Sequence, residues 1–186
     1  MLQISDLQPA DILLSTGDAK VSKVIRVGTI SRYSHASLFI GNGQIIEALG
    51  VGVIQQSLTD AMSDDTLVAV YRRVRMTPEQ AQEVIRYAKR QIGKKYDYSG
   101  AAGAGITSGP GIVMGTLISP LVVVVGIGAD LYNRHNPEAA FFCSELVALA
   151  FDKAGVPLGT GGPSSTPKDL SVSHVLSYLG DLKNTA

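Results

Sequence analysis

The sequence predicts an α+β fold, because two kinds of pattern follow one another along the chain. Before residue 75, short segments of apolar and polar residues are separated by turn signals, as in antiparallel sheets. After residue 75, longer segments carry apolar residues at helical spacing. Strands in one part of a chain and helices in another are typical of the α+β class. The 186 residues can bury one sizeable core, so we expect a single domain over residues 1–186.

The first part of the chain contains five predicted strands and one predicted helix. Asn42-Gly43 separates two of the strands and is a strong hairpin signal. The helix covers residues 19–30, where apolar residues and a glycine share one face. The predicted strands cover residues 12–15, 34–40, 44–49, 51–58 and 67–73.

The second part opens with a well-capped helix. Thr77 suits the N-cap, Pro78 the first turn and Gln80 the reciprocal capping position. Gly93 is typical of a residue that ends a helix. The predicted buried stripe consists of Ala81, Val84, Ile85, Ala88 and Ile92.

A second helix is predicted over residues 141–154, with Cys143 near its start. Leu146, Val147, Ala150 and Ala154 recur at helical spacing, and a glycine and a proline follow. A last short helix or turn is predicted from residue 166.

The segment between these helices carries no charged side chain over residues 99–129. Its length would span a bilayer, but eight glycines, Pro110 and Pro120 interrupt it. We therefore expect an apolar insert over about residues 99–135, such as a buried, lid-like or helical hairpin segment, rather than a membrane helix. Membrane contact through this insert is an alternative.

The composition excludes several classes of function. Sixteen basic residues balance sixteen acidic ones, so no basic field indicates a nucleic-acid partner. The single cysteine excludes an internal disulfide, and no histidine has the spacing of a zinc ligand, so we expect no metal and no cofactor. The N-terminus lacks a cleavable signal pattern, which predicts a cytoplasmic protein or one exported by a signal-independent route.

Cys143 and His35 form the candidate catalytic pair. A thiol attacks carbonyl carbon as the thiolate, which a neighbouring histidine and a helix N-terminus both stabilise. Cys143 lies near a predicted helix start, and His35 lies on the predicted strand face opposite Ala36, Leu38 and Ile40. The alternatives are a buried, inert cysteine and a surface histidine without a role.

Glu47 is the candidate that would orient His35, and the hairpin decides whether the two can meet. A two-residue loop would pair Leu38 with Glu47 and place Glu47 on the wrong face. An odd loop with Gly43 left-handed would pair Ser37 with Glu47 and make His35 its diagonal neighbour. We predict the loop with an odd number of residues. The alternative for Glu47 is a solvated carboxylate without a role.

Four segments together resemble the YaeF/YiiX-like group, the permuted papain-like branch of the NlpC/p60 cysteine hydrolases. In ordinary papain-like enzymes the cysteine precedes the histidine, whereas here the histidine comes first. The resemblance implies Cys143 as nucleophile, His35 as base and Glu47 as third member, with a small antiparallel sheet or half-barrel packed on the nucleophile helix. Ala10 replaces the usual glycine, and the insert has no counterpart. The segments are residues 9–14, 34–41, 94–98 and 141–147.

The resemblance also implies the activity, a cysteine hydrolase that cleaves peptidoglycan-type peptides or related amides through a thioester. One alternative is a lipid-directed thioesterase, phospholipase or acyltransferase whose apolar insert contacts acyl chains. Another is a non-catalytic binding module, or a signal-less antibacterial effector toxin with a neutralising partner protein.

Overall fold

A computed structural model describes residues 1–17, 32–63, 65–96 and 140–182, and it shows an antiparallel sheet with its two longer helices on one face. Six strands form this sheet in the order β4-β3-β2-β1-β5-β8. A short parallel pair, β6 and β7, lies beside it. The strands are β1 (Ile12–Gly17), β2 (His35–Gly41), β3 (Gln44–Leu49), β4 (Gly52–Ser57), β5 (Asp65–Arg73), β6 (Lys95–Tyr96), β7 (Ala140–Phe141) and β8 (Leu176–Asp181).

The structure confirms both longer helices. Thr77 and Gln80 form the expected capping box at the start of the first one. That helix ends at Arg90, before the predicted stripe does, so Ile92 lies in the following turn and is 44% exposed. Its predicted burial was therefore wrong. The helices are α1 (Leu58–Ala61), α2 (Pro78–Arg90), α3 (Cys143–Lys153) and α4 (Pro167–Ser171).

The larger core lies between the sheet and the two longer helices. Ala36 and Leu38 of β2 contact it from the sheet, and Leu146, Val147 and Phe151 contact it from α3. Because α3 packs across β2 and β3, its first residue is held against the sheet. This packing confirms the expected α+β class, with a helix that begins at Cys143 lying on an antiparallel sheet.

The opposite face of the sheet is also buried, which corrects the sequence-based expectation. The alternation placed His35, Ser37 and Phe39 on a face outside the core, yet Phe39 and Ser37 are 3% and 5% exposed. A second core covers this face, and short α1 contributes to it. Members of this core are Leu7, Leu13, Phe39, Ile45, Leu58, Met62, Val68, Val70 and Leu182. His35 is therefore partly buried and lines a small pocket together with residues of this second core, rather than lying on a free surface.

The hairpin between β2 and β3 has the predicted register but reaches it in another way. Ser37 pairs with Glu47, as expected. The turn itself has two residues, since Gly41 pairs with Gln44 and both Asn42 (φ 52°) and Gly43 (φ 67°) are left-handed. A β-bulge between Phe39 and Gly41 supplies the extra residue. The bulge thus keeps Glu47 on the same face of the sheet as His35, whereas a two-residue turn alone would have placed it on the opposite face.

Some predictions fall outside the described residues. These are the helix over residues 19–30, the apolar insert over about residues 99–135, and the extension of one domain through them. In the described ranges, no helix combines the length and apolar character needed to cross a membrane.

Candidate active site

The site begins with two side chains from adjacent strands. His35 is the first residue of β2, and Glu47 lies in the middle of β3. Because Ser37 pairs with Glu47, His35 is the diagonal neighbour of Glu47 on the same face. The imidazole Nε2 lies 2.5 Å from the carboxylate Oε2, within hydrogen-bond distance. The structure thus brings together the two residues that the register argument paired.

Glu47 is buried and has two side-chain partners. Only 3% of the residue is exposed. Its second oxygen, Oε1, accepts a hydrogen bond from Nε2 of Gln56 on β4. Burial by itself would raise the pKa of Glu47, but the hydrogen bond and charge of His35 and the hydrogen bond from Gln56 lower it from the ordinary value of 4.5. The carboxylate is therefore kept ionised, as required for it to orient and stabilise an imidazolium.

His35 lies close enough to Cys143, as well as to Glu47, for both side chains to shift its pKa. Burial alone would lower the pKa of His35, but the charge and hydrogen bond of Cys143, followed by those of Glu47, raise it well above the ordinary value of 6.5. Since Nε2 is held by Glu47, Nδ1 is the ring nitrogen that remains for the thiol. His35 thus lies between a sulfur and a carboxylate, the arrangement that supports a thiolate–imidazolium pair.

Cys143 occupies the first position of α3, directly after the N-cap residue Phe142. The first N–H groups of a helix have no acceptor within the helix, and the helix dipole favours negative charge there. The N–H of Cys143 is one of these groups, so it can donate to an oxyanion formed on an acyl group attached to its own sulfur. Cys143 is 1% exposed, which keeps these charges away from bulk water.

Hydrogen bonds fix the start of this helix from both sides. The Phe142 N–H donates to the Glu145 carboxylate across 3.2 Å. The buried Ser144 hydroxyl donates to the Ser165 carbonyl across 2.5 Å, which ties the first turn of α3 to the loop before α4. The position of the nucleophile candidate is thus set by packing along α3 and by polar contacts at its first turn.

Among the described residues, the other histidine, His174, takes no part in this arrangement. His174 is exposed and lies beside Gly159, in the loop that follows α3. His135 lies outside the described residues. Within the described ranges, no group of three or more His, Cys, Asp or Glu side chains could hold a metal ion.

Two residues near the site were not singled out from the sequence. Gln56 shares a strand face with Ile54, which pairs with Glu47, so the register of β4 could have indicated it. Ser34 precedes His35 and is 2% exposed, and its hydroxyl has no hydrogen-bond partner among the described residues. No sequence pattern distinguishes that hydroxyl from an ordinary buried serine.

Comparison with known proteins gives three findings. A family model described as "Permuted papain-like amidase enzyme, YaeF/YiiX, C92 family" matches residues 6–101, which include His35 and Glu47 and end before Cys143. The probable lipoprotein peptidase YaeF of Escherichia coli K12 is 32% identical over 200 residues, which cover 96% of this chain and 72% of YaeF.

The third finding concerns the fold alone. The crystal structure of a protein described as metalloprotein YiiX, from Escherichia coli O157:H7, superposes with a TM-score of 0.63 at 19% identity and covers 93% of this chain and 96% of YiiX. The predicted catalytic roles of Cys143, His35 and Glu47, and the wider kinship with NlpC/p60 enzymes, stay predictions. The family match and the similarity to YaeF show that this chain belongs to the YaeF/YiiX family of permuted papain-like amidases and is a cysteine hydrolase.

Proposed function

We propose that this protein hydrolyses amide bonds in peptides, with Cys143 as nucleophile, His35 as acid and base, and Glu47 as the group that orients His35. The observation that carries this proposal is the position of the His35 ring, which interacts with Cys143 and bonds Glu47 through Nε2. Membership in an amidase family and the printed name of YaeF, a probable lipoprotein peptidase, support a peptide amide as substrate.

The reaction follows from this geometry in two halves. The Cys143 thiolate attacks the carbonyl carbon, and the carbonyl oxygen becomes an oxyanion to which the Cys143 N–H donates. As the C–N bond breaks, protonated His35 transfers its proton to the departing amine, which leaves a thioester. Water then attacks the thioester while His35 accepts a water proton, and the acid and the free thiolate are released.

The electrostatics of His35 meet a requirement of amide cleavage. An amine is a poor leaving group unless its nitrogen is protonated, so amide cleavage needs an acid that still carries its proton at neutral pH. The raised pKa of His35 meets this requirement, because the imidazolium form persists at higher pH than in a free histidine. An ester leaving group makes a weaker demand on the same acid.

The test is a substrate mixture in water enriched in oxygen-18. Peptidoglycan fragments with peptide stems and synthetic lipopeptides are incubated with the enzyme and analysed by mass spectrometry. We expect new carboxyl groups that each contain one labelled oxygen, and trapping of an acyl intermediate by hydroxylamine. Cys143→Ala should abolish both products, whereas the matched histidine control His174→Asn should retain them.

The alternatives predict other outcomes in the same mixture. Intact amides together with rapid hydrolysis of acyl esters would replace the amidase proposal with the lipid-directed one. Cleavage that persists in folded Cys143→Ala would show that the chemistry does not pass through the thiol.

A further inference from the structure

The second oxygen of Glu47 needs a hydrogen-bond donor of its own. Oε2 is engaged by His35, and a carboxylate oxygen buried without a donor is costly because it loses hydration. Among the described side chains, Gln56 is the donor to Oε1. Ser15 and Ser37 line the same small pocket as Glu47, but the described hydrogen bonds of the carboxylate go to His35 and Gln56.

The sheet register places Gln56 for this task. Ile45 pairs with Gln56 and Glu47 pairs with Ile54, so Gln56 is the diagonal neighbour of Glu47 on one side, as His35 is on the other. The three side chains form a row across β2, β3 and β4 on one face of the sheet. Because each oxygen of Glu47 contacts one neighbour, the row fixes the plane of the carboxylate as well as its position.

A neutral donor is suited to this position for an electrostatic reason. A lysine or arginine at position 56 would also bond Oε1, but its charge would compete with the imidazolium for the carboxylate. The amide of Gln56 donates without neutralising Glu47, which leaves the full negative charge for His35. Gln56 is half-buried, so the rest of its amide can still reach solvent.

We propose that Gln56 is a positioning residue of the active site, which locks the Glu47 carboxylate and thereby fixes the orientation of the His35 ring toward Cys143. The inference rests on the proposed function, since orientation of His35 matters only if the thiol is the nucleophile. The contacts that carry it are the hydrogen bonds that Glu47 accepts, at Oε1 from Gln56 and at Oε2 from His35.

Two substitutions of Gln56 and one matched control test this role. Gln56→Met keeps the side-chain length but removes the donor, and we expect kcat/KM to fall about tenfold at every pH. Gln56→Glu restores a donor only while the introduced carboxyl is protonated. Its activity relative to wild type should therefore fall as pH rises through the titration of that carboxyl. Gln55→Met is the control, because Gln55 is exposed on the same strand and bonds Gln44 instead.

A nuclear magnetic resonance readout separates this inference from the proposed function, because it needs no substrate. In ¹⁵N-histidine-labelled wild-type protein, the Nε2 proton of His35 should give a downfield signal, because its hydrogen bond to Glu47 slows exchange of the proton with water. We expect exchange broadening of this signal in Gln56→Met and no change in Gln55→Met. A sharp signal and unchanged kcat/KM in Gln56→Met would overturn the positioning role, as would a pH-independent activity ratio for Gln56→Glu. Loss of the signal in an enzyme that cleaves no amide would refute the proposed function only.

Discussion

Replacing Glu47 with glutamine tests how much the buried carboxylate contributes to the imidazolium state of His35. Glu47→Gln keeps the shape of the side chain, and its amide oxygen can still accept from His35 Nε2 if the Gln56 amide turns over. What is lost is the negative charge. A hydrogen bond to a charged group contributes about 1.5–3 kcal/mol and a neutral one about 0.5–1.5 kcal/mol. The difference of about 1–1.5 kcal/mol corresponds to about tenfold in rate.

The buried surroundings add to this loss. Glu47 is 3% exposed, so solvent screens its charge poorly, and we expect kcat/KM of Glu47→Gln to fall about 10- to 100-fold. The carboxylate is one of the causes that raise the pKa of His35, so its removal lowers that pKa. The alkaline limb of the pH–rate profile, where the imidazolium loses its proton, should therefore move to lower pH. An alkaline limb that stays in place would refute the electrostatic role of Glu47, even if activity fell.

The same substitution has a signature in stability. Glu47 has a pKa below its ordinary 4.5 in the folded state, so its stabilising contribution is full above that value and is lost as pH falls through the folded pKa. His35 has a pKa above 6.5, so its contribution is full below that value and is lost as pH rises through the folded pKa. Urea unfolding should thus show the largest difference between wild type and Glu47→Gln near about pH 5.5, and a smaller one near about pH 3. A difference that does not change with pH would contradict this linkage.

Three further predictions concern stability and can be checked by urea or thermal unfolding. Arg72 makes a bidentate ion pair with Asp11, which is fully buried while Arg72 keeps 28% of its side chain exposed. Arg72→Met leaves a buried carboxylate and should cost about 3–5 kcal/mol, more than Asp11→Asn, and equal losses would contradict this asymmetry. Gly52→Ala should cost at least about 2 kcal/mol, because φ is +117° and an added Cβ would lie 2.5 Å from the Lys94 carbonyl oxygen. Ser34→Ala removes a buried hydroxyl that has no partner among the described residues and should raise stability by about 1 kcal/mol, and a loss of stability would contradict this reasoning.

The pairing of His35 with Glu47 could be predicted because it depends on local features of the sequence. Alternation along β2 and β3 defines two faces, and a shift of one residue would move Glu47 to the wrong one. The requirement that both polar side chains share a face therefore selected the Ser37–Glu47 register. The turn geometry that produces this register could not be predicted, because a loop with an odd number of residues and a two-residue turn with a bulge both pair Ser37 with Glu47.

The second core could not be predicted, because it depends on contacts between distant parts of the chain. Phe39 and Ile45 are buried there by Leu58 of α1, by Met62 directly after α1, and by Leu182 after β8. Strand β8 was not predicted either. It pairs with β5 at the edge of the sheet, where Tyr178 and Leu179 remain 54% and 37% exposed, so alternation gave no clear signal. Edge strands carry weaker patterns because neither face needs to be fully apolar.

The meeting of Cys143 and His35 depends on packing rather than on any motif. The two residues are more than one hundred positions apart in the sequence, and α3 brings them together by packing across β2 and β3. A slip of α3 by one residue would translate Cys143 by about 1.5 Å and rotate it by about 100° away from the imidazole. Leu146, Val147 and Phe151, which are fully buried in the larger core, resist such a slip although none of them takes part in the chemistry. The geometry of the thiol is thus set by the fit of an apolar helix face against the sheet.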